Sequence, residues 1–292
     1  MSRFLLVSTL LFSHGILPAM SDTVDVLLTN DDGYSSPGIK VLQSALSAAG
    51  YNVIVVAPLK QQSAAGMKVS LHSLKVVEQG PRVWSVEGSP ADSVLVALAS
   101  IYKSSPPKYV VSGPNFGQNL GSNVMLSGTV GAAVTAAMQG IPSISLSVGL
   151  DLGESEGTPI KFPSTVVAFR HAAKLLVRVL QEIQQQPGFI PKGHVLNINY
   201  PLRMKKTGAD FAASRVSQAG GFKLNHSDID TSTNISKVEV VIEELELHAK
   251  GVDARYFSEG HATFSLLKPD WNATSDSIKM LTELVSNLNK GR

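Results

Sequence analysis

Asp31 and Asp32 stand side by side at the end of an apolar run, in LLTNDDGYSSPG (residues 27–38), with a glycine directly behind them. Adjacent carboxylates repel each other, and a bound cation removes that repulsion. The competing reading is a cap, because an Asx side chain ahead of a helix accepts hydrogen bonds from its first N–H groups. Two more segments argue for the cation. APLKQQSAAG (57–66) follows a second apolar run and carries Ser63, and SGPNFGQNLG (112–121) follows a third and carries Asn115 and Asn119. Carboxylate, hydroxyl and amide oxygens are what a hard divalent ion takes: Mg²⁺, Mn²⁺ or Ca²⁺. No histidine lies in these three segments and the chain has no cysteine, so a zinc site of the usual nitrogen and sulfur type is not expected.

Ser127, Gly128 and Thr129 open a run of small residues, SGTVGAAVTAAMQG (127–140), which reads as a helix. Free N–H groups and the dipole at a helix start attract anions, although a plain Ser or Thr cap explains the same residues. Beside a hard-metal site, an anion pocket suits phosphate, and Asn119 is placed on that phosphate side. Together the two pockets describe metal-assisted hydrolysis of a phosphoester. Asp31 or Asp32 acting directly as base or nucleophile fits the same pattern. The histidines His72, His171, His194, His226, His248 and His261 are scattered, and only His261 is kept as a distant candidate. There is no G-x-S-x-G elbow and no Walker loop.

These residues need elements to hold them. VDVLLTN (24–30), YNVIVVAP (51–58), KYVVSG (108–113), PSISLSV (142–148) and HVLNINYP (194–201) are short, apolar and β-branched, as buried parallel strands are. Helices are expected between them, over 38–50 behind Pro37, over 89–102 with Ser89 as cap and Pro90 as first residue, over 127–140 and over 164–186. LKVVEQGPRVWSVEG (74–88) reads as an antiparallel hairpin turning at Gly80-Pro81. The alternation predicts an α/β fold: a Rossmann-like, mostly parallel sheet with helices on both faces. Ligands then bind beyond the carboxyl ends of the strands, where all three oxygen-rich loops fall. Strands over 237–249 and 262–269 and a helix over 275–290 form a C-terminal extension of hairpins and one closing helix. The expected division is 1–21, 22–201 for the core and 202–292 for the extension.

The chain has 292 residues, 43% of them hydrophobic and 16% charged, ample for a buried core. A net charge of +2, with no basic stripe, gives no reason to expect a nucleic-acid duplex as partner. Arg3, the apolar stretch FLLVSTLLF (4–12), Pro18 and Ala19-Met20-Ser21 resemble a secretory signal, so residues 1–21 are expected to be removed on export to a periplasm or the outside. If that segment is not a signal, the chain is cytoplasmic. No membrane association is expected after cleavage.

Several separated blocks resemble the SurE survival protein family of divalent-metal-dependent 5′(3′)-nucleotidases and acid phosphatases. They are LLTNDDGYSSPGI, VVAPLKQQSA, VEGSPADSVLVAL, VVSGPNFGQNLG, LSGTVGAA with GIPSISLS, and LNINYP, running from about Val24 to about Leu267. The resemblance implies that Asp31, Asp32, Ser63 and Asn115 hold one divalent metal ion and that Ser127, Gly128 and Thr129 contact phosphate. It implies a nucleotide or other small phosphomonoester as substrate, and a swapped C-terminal extension that builds dimers or tetramers.

The chain departs from the family pattern at four places. Leu59-Lys60 replaces a common Asp-Arg, Ala64 replaces a glycine after the ligand serine, Leu126 replaces a tyrosine, and an acidic residue is replaced near Thr135. These departures leave a second reading open: an exported metal- or nucleotide-binding protein with little or no turnover. A periplasmic solute-binding protein is a weaker third, because it gives the Asp pair no role.

Overall fold

Val26 and Leu28 face one side of the first strand and Leu27 the other, and all three are fully buried. Only a strand covered on both faces leaves no polar position in such a run. The structure is a computed structural model that describes residues 26–102, 105–154, 161–204, 210–219, 221–242, 249–270, 272 and 275–290. The expected leader (1–21) and, with His248, residues 243–248 of the strand expected over 237–249 lie outside the described residues.

The elements run β1 (Val26–Thr29), α1 (Pro37–Ala48), β2 (Val53–Pro58), β3 (Val76–Gly80), β4 (Val83–Val86), α2 (Pro90–Val96), β5 (Tyr109–Phe116), α3 (Gly128–Met138), β6 (Ser143–Val148), α4 (Pro163–Gln184), β7 (Val195–Tyr200), β8 (Phe211–Ala213), β9 (Phe222–His226), β10 (Val238–Ile242), α5 (Asp253–Ser258), β11 (Ala262–Leu267) and α6 (Ser275–Lys290). Nine of the described strands form one sheet in the order β3-β4-β2-β1-β5-β6-β7-β11-β8. The six from β4 to β7 are parallel to one another. Counting only those six, the spatial order is 3-2-1-4-5-6, the doubly wound arrangement, whose order reverses between β1 and β5.

Helices cover both faces. On one side Val26, Leu28 and Val55 pack with Ile39, Leu42 and Leu46 of α1 and with Phe169 and Leu176 of α4. On the other, Leu27, Ile54 and Val56 pack with Val94 of α2 and Ala132 and Ala136 of α3. Ile39, Leu42 and Leu46 recur at helical spacing, so α1 presents one apolar stripe to the sheet. Each fully buried Leu contributes roughly 1.5–3 kcal/mol over leaving it in water. α2 begins with a capping box: Asp92 N–H donates to Ser89 Oγ at 3.0 Å and Ser89 N–H donates to Asp92 Oδ2 at 2.8 Å. It continues into one wider π turn over Ala97–Ile101, so the expected helix over 89–102 is present with its end unwound.

The expected hairpin at Gly80-Pro81 forms, but its second strand belongs to the main sheet, with β4 lying parallel to β2. Beyond β7 the sheet also continues past residue 201: β11 pairs antiparallel to β7, and β8 parallel to β11. An uncovered edge of β7 would leave a row of N–H and C=O groups unpaired, and β11 supplies their partners. β9 and β10 form a separate antiparallel hairpin, and α6 follows as the closing helix. No helix among the described residues is long and apolar enough to cross a membrane.

Candidate metal and phosphate site

The reversal of strand order opens a crevice between the ends of β1 and β5. Asp31 and Asp32 follow β1, and Asn115 lies near the end of β5. The turn after β1 is built by Asn30, which is fully buried. Its amide donates to Gly33 O at 3.0 Å and Ser36 Oγ at 2.8 Å, and its Oδ1 accepts from Gly33 N–H at 3.2 Å. Neither aspartate is needed as the cap of α1, and the N-terminal Ser36 makes no side-chain cap either.

Each carboxylate is held from a different side. Asp31 accepts from Thr129 twice, from the backbone N–H at 3.1 Å and from the hydroxyl at 2.6 Å. Asp32 accepts from the backbone N–H of Phe116 at 3.2 Å, the residue after Asn115. The loop after β2 joins them: Gln62 N–H donates to the Asp31 carbonyl at 2.6 Å, which brings the next residue, Ser63, to the same crevice. Ser63 is exposed and accepts from the Gln61 side chain at 2.6 Å. Asn115 is buried and donates its amide N–H to Gly117 O at 2.7 Å.

Two glycines allow this convergence. A Cβ on Gly128 would lie 2.9 Å from Asp31 Cβ and 3.1 Å from Gln62 O, and one on Gly131 would lie 2.0 Å from Gly66 O. Any side chain at either position would push the Ser63 loop off the start of α3. Ala64, in that loop, takes φ +60°, a left-handed conformation that glycine adopts without strain.

The start of α3 is largely committed to the protein. Ser127 Oγ accepts from Val130 N–H at 3.1 Å, and both donors of Thr129 go to Asp31. Asn119 is tied into a buried asparagine cluster: its amide N–H donates to Ser147 Oγ at 2.8 Å, its backbone N–H donates to Asn199 Oδ1 at 2.7 Å, and its carbonyl accepts from Asn197 and Asn199 at 3.0 and 3.1 Å. The structure thus brings Asp31, Asp32, Ser63, Asn115 and the 127–129 turn together, with Asn119 supporting the loop between. His261 is on the far side of the sheet order, after α5, edge-on to Tyr256 with ring centroids 5.8 Å apart.

Burial pushes the Asp31 carboxyl above its ordinary range, against the two Thr129 bonds. Burial, and then the neighbouring Asp31 charge, push Asp32 up to about 7, with the Phe116 N–H opposing. Among the described residues no cationic side chain acts on either group. Beneath them Thr29 and Ser112, opposite one another on β1 and β5, each bury a hydroxyl that has no hydrogen-bond partner among the described residues. Among the described residues no three or more His, Cys, Asp or Glu side chains gather where they could hold a metal ion by themselves. A cation here would therefore rest on two carboxylates plus hydroxyl and amide oxygens, a hard-ion donor set that these residues fit.

Three further residues organise the loops. Asp92 accepts from Ser70 N–H and Oγ, each at 2.8 Å, and so fixes the far limb of the Ser63 loop. Burial raises its carboxyl, but these bonds and those of Ser89 outweigh it and hold Asp92 below the usual range. Asp253 is fully buried and accepts from Gly121 N–H at 3.0 Å and Ser217 N–H at 2.8 Å, joining the Asn119 loop to the C-terminal part. Asn199 is the third. The S-x-x-D spacing of a capping box marks Asp92 in the sequence, and polar residues alternating within LNINYP mark Asn197 and Asn199. Asp253 carries no such signal.

The family model described as "Survival protein SurE" matches residues 26–222. The chain is 40% identical over 185 residues to a protein named 5′-nucleotidase SurE from Methanoculleus marisnigri, covering 62% of this chain and 68% of that one. It is 37% identical to the protein of that name from Rhizorhabdus wittichii (61% and 66% covered), and 44% identical to one from Cereibacter sphaeroides (54% and 60%). The matches thus span about two thirds or less of these relatives' own lengths. The crystal structure of the SurE protein from Aquifex aeolicus superposes with a TM-score of 0.69 at 29% identity, over 88% of this chain and 99% of that one. Sheet order, matched blocks and superposition converge on one assignment: the chain belongs to the SurE survival protein family.

Proposed function

We propose that this protein hydrolyses phosphomonoesters, nucleoside 5′- or 3′-monophosphates foremost, using one divalent cation held by Asp31, Asp32, Ser63 and Asn115. The observation that carries this reading is the pair of adjacent carboxylates at the switch point, Asp31 buried and Asp32 half-buried, both raised by burial and, among the described residues, opposed by no cationic side chain. The name 5′-nucleotidase on relatives 37–44% identical supports a phosphoric monoester hydrolase. When bound by these residues, a cation such as Mg²⁺, Mn²⁺ or Ca²⁺ would supply Lewis acidity for phosphoester hydrolysis. Thr129 fixes the orientation of Asp31, and the Phe116 N–H holds Asp32, the carboxylate suited to orient the attacking water and take its proton. At that helix start the N–H of Gly128, the first residue of α3, and the hydroxyl hydrogen of Ser127, whose oxygen accepts from Val130, would face a phosphate oxygen.

The test is phosphate release from 5′-AMP, 3′-AMP and an aryl phosphate, after chelation and then with each cation restored. Activity lost to chelator and recovered with one cation supports the reading, and full activity of Asp32→Asn with metal present sinks it. One observation favours the second reading, a binding protein with little turnover: the Thr129 donors expected on phosphate are both spent on Asp31. Cation binding with no release from any substrate would establish it.

Self-association as a dimer or tetramer belongs to the same proposal. Ile278, Leu281, Leu284, Val285 and Leu288 form an apolar stripe along α6, all exposed. A cavity of about 940 Å³ lies under the preceding segment, with Val130, Val134, Leu196, Phe264 and Leu267 on its walls. Export to a periplasm or the outside is proposed from the signal-like residues 1–21, the alternative being a cytoplasmic enzyme.

A further inference from the structure

A second cavity, of about 380 Å³, opens on the same edge of the sheet, beyond the ends of β2 and β4. Lys60, Gln62, Lys68, Ser70, His72 and Glu87 are on its walls. It adjoins the Asp pair directly, because Gln62, in its wall, gives its backbone N–H to the Asp31 carbonyl at 2.6 Å. The strands run β4-β2-β1, and neighbouring strands lie about 4.8 Å apart, so the end of β4 lies on the order of 10 Å from that of β1. That is the reach of one nucleotide.

The cavity is cationic and braced. Lys60 and Lys68 are exposed, and neither forms an ion pair among the described residues. The segment that carries Lys68 and His72 is pinned between them, where Ser70 donates twice to Asp92 at 2.8 Å. The hydroxyl of Ser89 also donates to the Lys68 carbonyl. Glu87 is the one acidic group on the wall. Two unpaired lysines on an anchored loop favour an anion, and a phosphate takes both as charge-assisted donors. The crevice at the Asp pair accommodates the phosphate that is cleaved, so the neighbouring cavity receives a group at the other end of the same molecule.

We propose that the Lys60–Lys68–His72 cavity binds a second phosphate of the substrate, so that the preferred substrates are nucleosides phosphorylated at both ends of the ribose. The inference rests on the phosphatase reading above and adds a specificity pocket to it.

The test compares kcat/KM for adenosine 3′,5′-bisphosphate and for 5′-AMP in the full chain with its cation. The wild type is expected to favour the bisphosphate about tenfold, the scale of one or two hydrogen bonds to a charged group. That ratio should fall to near unity in Lys60→Ala/Lys68→Ala and in 0.5 M salt, where exposed charges are screened at roughly 4 Å. Parity in the wild type, or a ratio untouched by the double variant, overturns the proposal. A site for free phosphate would show parity in the wild type while the double variant weakens binding of inorganic phosphate, and that too overturns it. If no substrate is turned over, the phosphatase reading fails separately. The same comparison is then read as the ratio of dissociation constants of the two nucleotides by calorimetry, with the same expected and overturning values.

Discussion

Thr129 gives both of its donors to one carboxylate: its N–H reaches Asp31 Oδ2 at 3.1 Å and its hydroxyl reaches Oδ1 at 2.6 Å. The first turn of α3 thereby stabilises a buried anion belonging to the protein itself. Helix dipole, N–H and hydroxyl all act on Asp31. The result is a carboxylate fixed in direction before any ligand arrives.

Removing the hydroxyl tests that role. Thr129→Val is expected to lower stability by about 1–3 kcal/mol, the cost of leaving a buried charged acceptor short of a partner. It should also weaken cation affinity at least tenfold. Thr129→Ser, which restores the donor, should recover most of the affinity. Denaturant unfolding and calorimetric titration with Mg²⁺ or Mn²⁺ read both effects, and an unchanged affinity in the Val variant would remove Asp31 orientation from the argument.

The aspartates set the pH dependence. Asp32, at about 7 against an ordinary 3.8, binds its proton more tightly folded than unfolded. Its contribution is therefore fully present below about pH 4 and is lost as pH rises toward 7, so the cation-free protein should lose melting temperature over that window. The burial of Asp31 acts in the same direction. A cation displaces those protons, so its affinity should rise with pH up to about 7 and its stabilising effect should be larger at pH 8 than at pH 5. A cation-free melting temperature that climbs between pH 5 and 7.5 contradicts the assignment.

Asp92 positions the Ser63 loop through hydrogen bonds from Ser70 and Ser89. Asp92→Ala should cost about 2–3 kcal/mol, from a lost cap and stranded buried donors. It should raise KM more than it lowers kcat, because the loop is loosened while the Asp pair stays in place. Equal losses in kcat and kcat/KM would place Asp92 at the reaction itself.

Ala64 holds φ +60°. A left-handed alanine costs roughly 1–2 kcal/mol, and glycine's extra unfolded-state entropy returns about 0.5–1 of it. Ala64→Gly should therefore stabilise the protein by about 0.5–1 kcal/mol. A fall in the denaturation midpoint would show that the loop is not strained there.

The apolar stripe of α6 should be the seam between copies. Leu281→Asp combined with Leu288→Asp is expected to lower the mass measured by analytical ultracentrifugation toward that of one chain while leaving the far-ultraviolet dichroism nearly unchanged. An unaltered mass would move the interface elsewhere.

Much of this was legible in the residues. A strand buried on both faces announces itself as VLLT or VIVVAP, and the oxygen-rich loops follow such runs directly. Helix starts were marked by Pro37, Pro90 and Ser127. Pairing was not legible: nothing in VWSV distinguishes a free hairpin from a strand lying parallel to β2. β8 and α5, with three and six residues, are too short for a period to emerge. At the site, the residue types were readable but their commitments were not. Thr129 reads equally as a phosphate donor or as a partner of Asp31, and only the approach permitted by Gly128 decides between them.

β7 and β11 are neighbours in space, yet residues 201–261 separate them in the chain. That intervening segment carries the β9–β10 hairpin outside the sheet, while β8 within it pairs with β11 and Asp253 within it accepts from Gly121 and Ser217. Closing a long segment costs little more as it lengthens, about 0.6 kcal/mol for each doubling. Insertions and deletions at the tip of the hairpin, between His226 and Val238, should leave the phosphate chemistry untouched. Agreement with the family model stops at residue 222, inside that segment, while the shared fold continues over 88% of the chain. The hairpin tip at 227–237 is thus where the chain has room to lengthen without disturbing the two strands whose pairing extends the sheet.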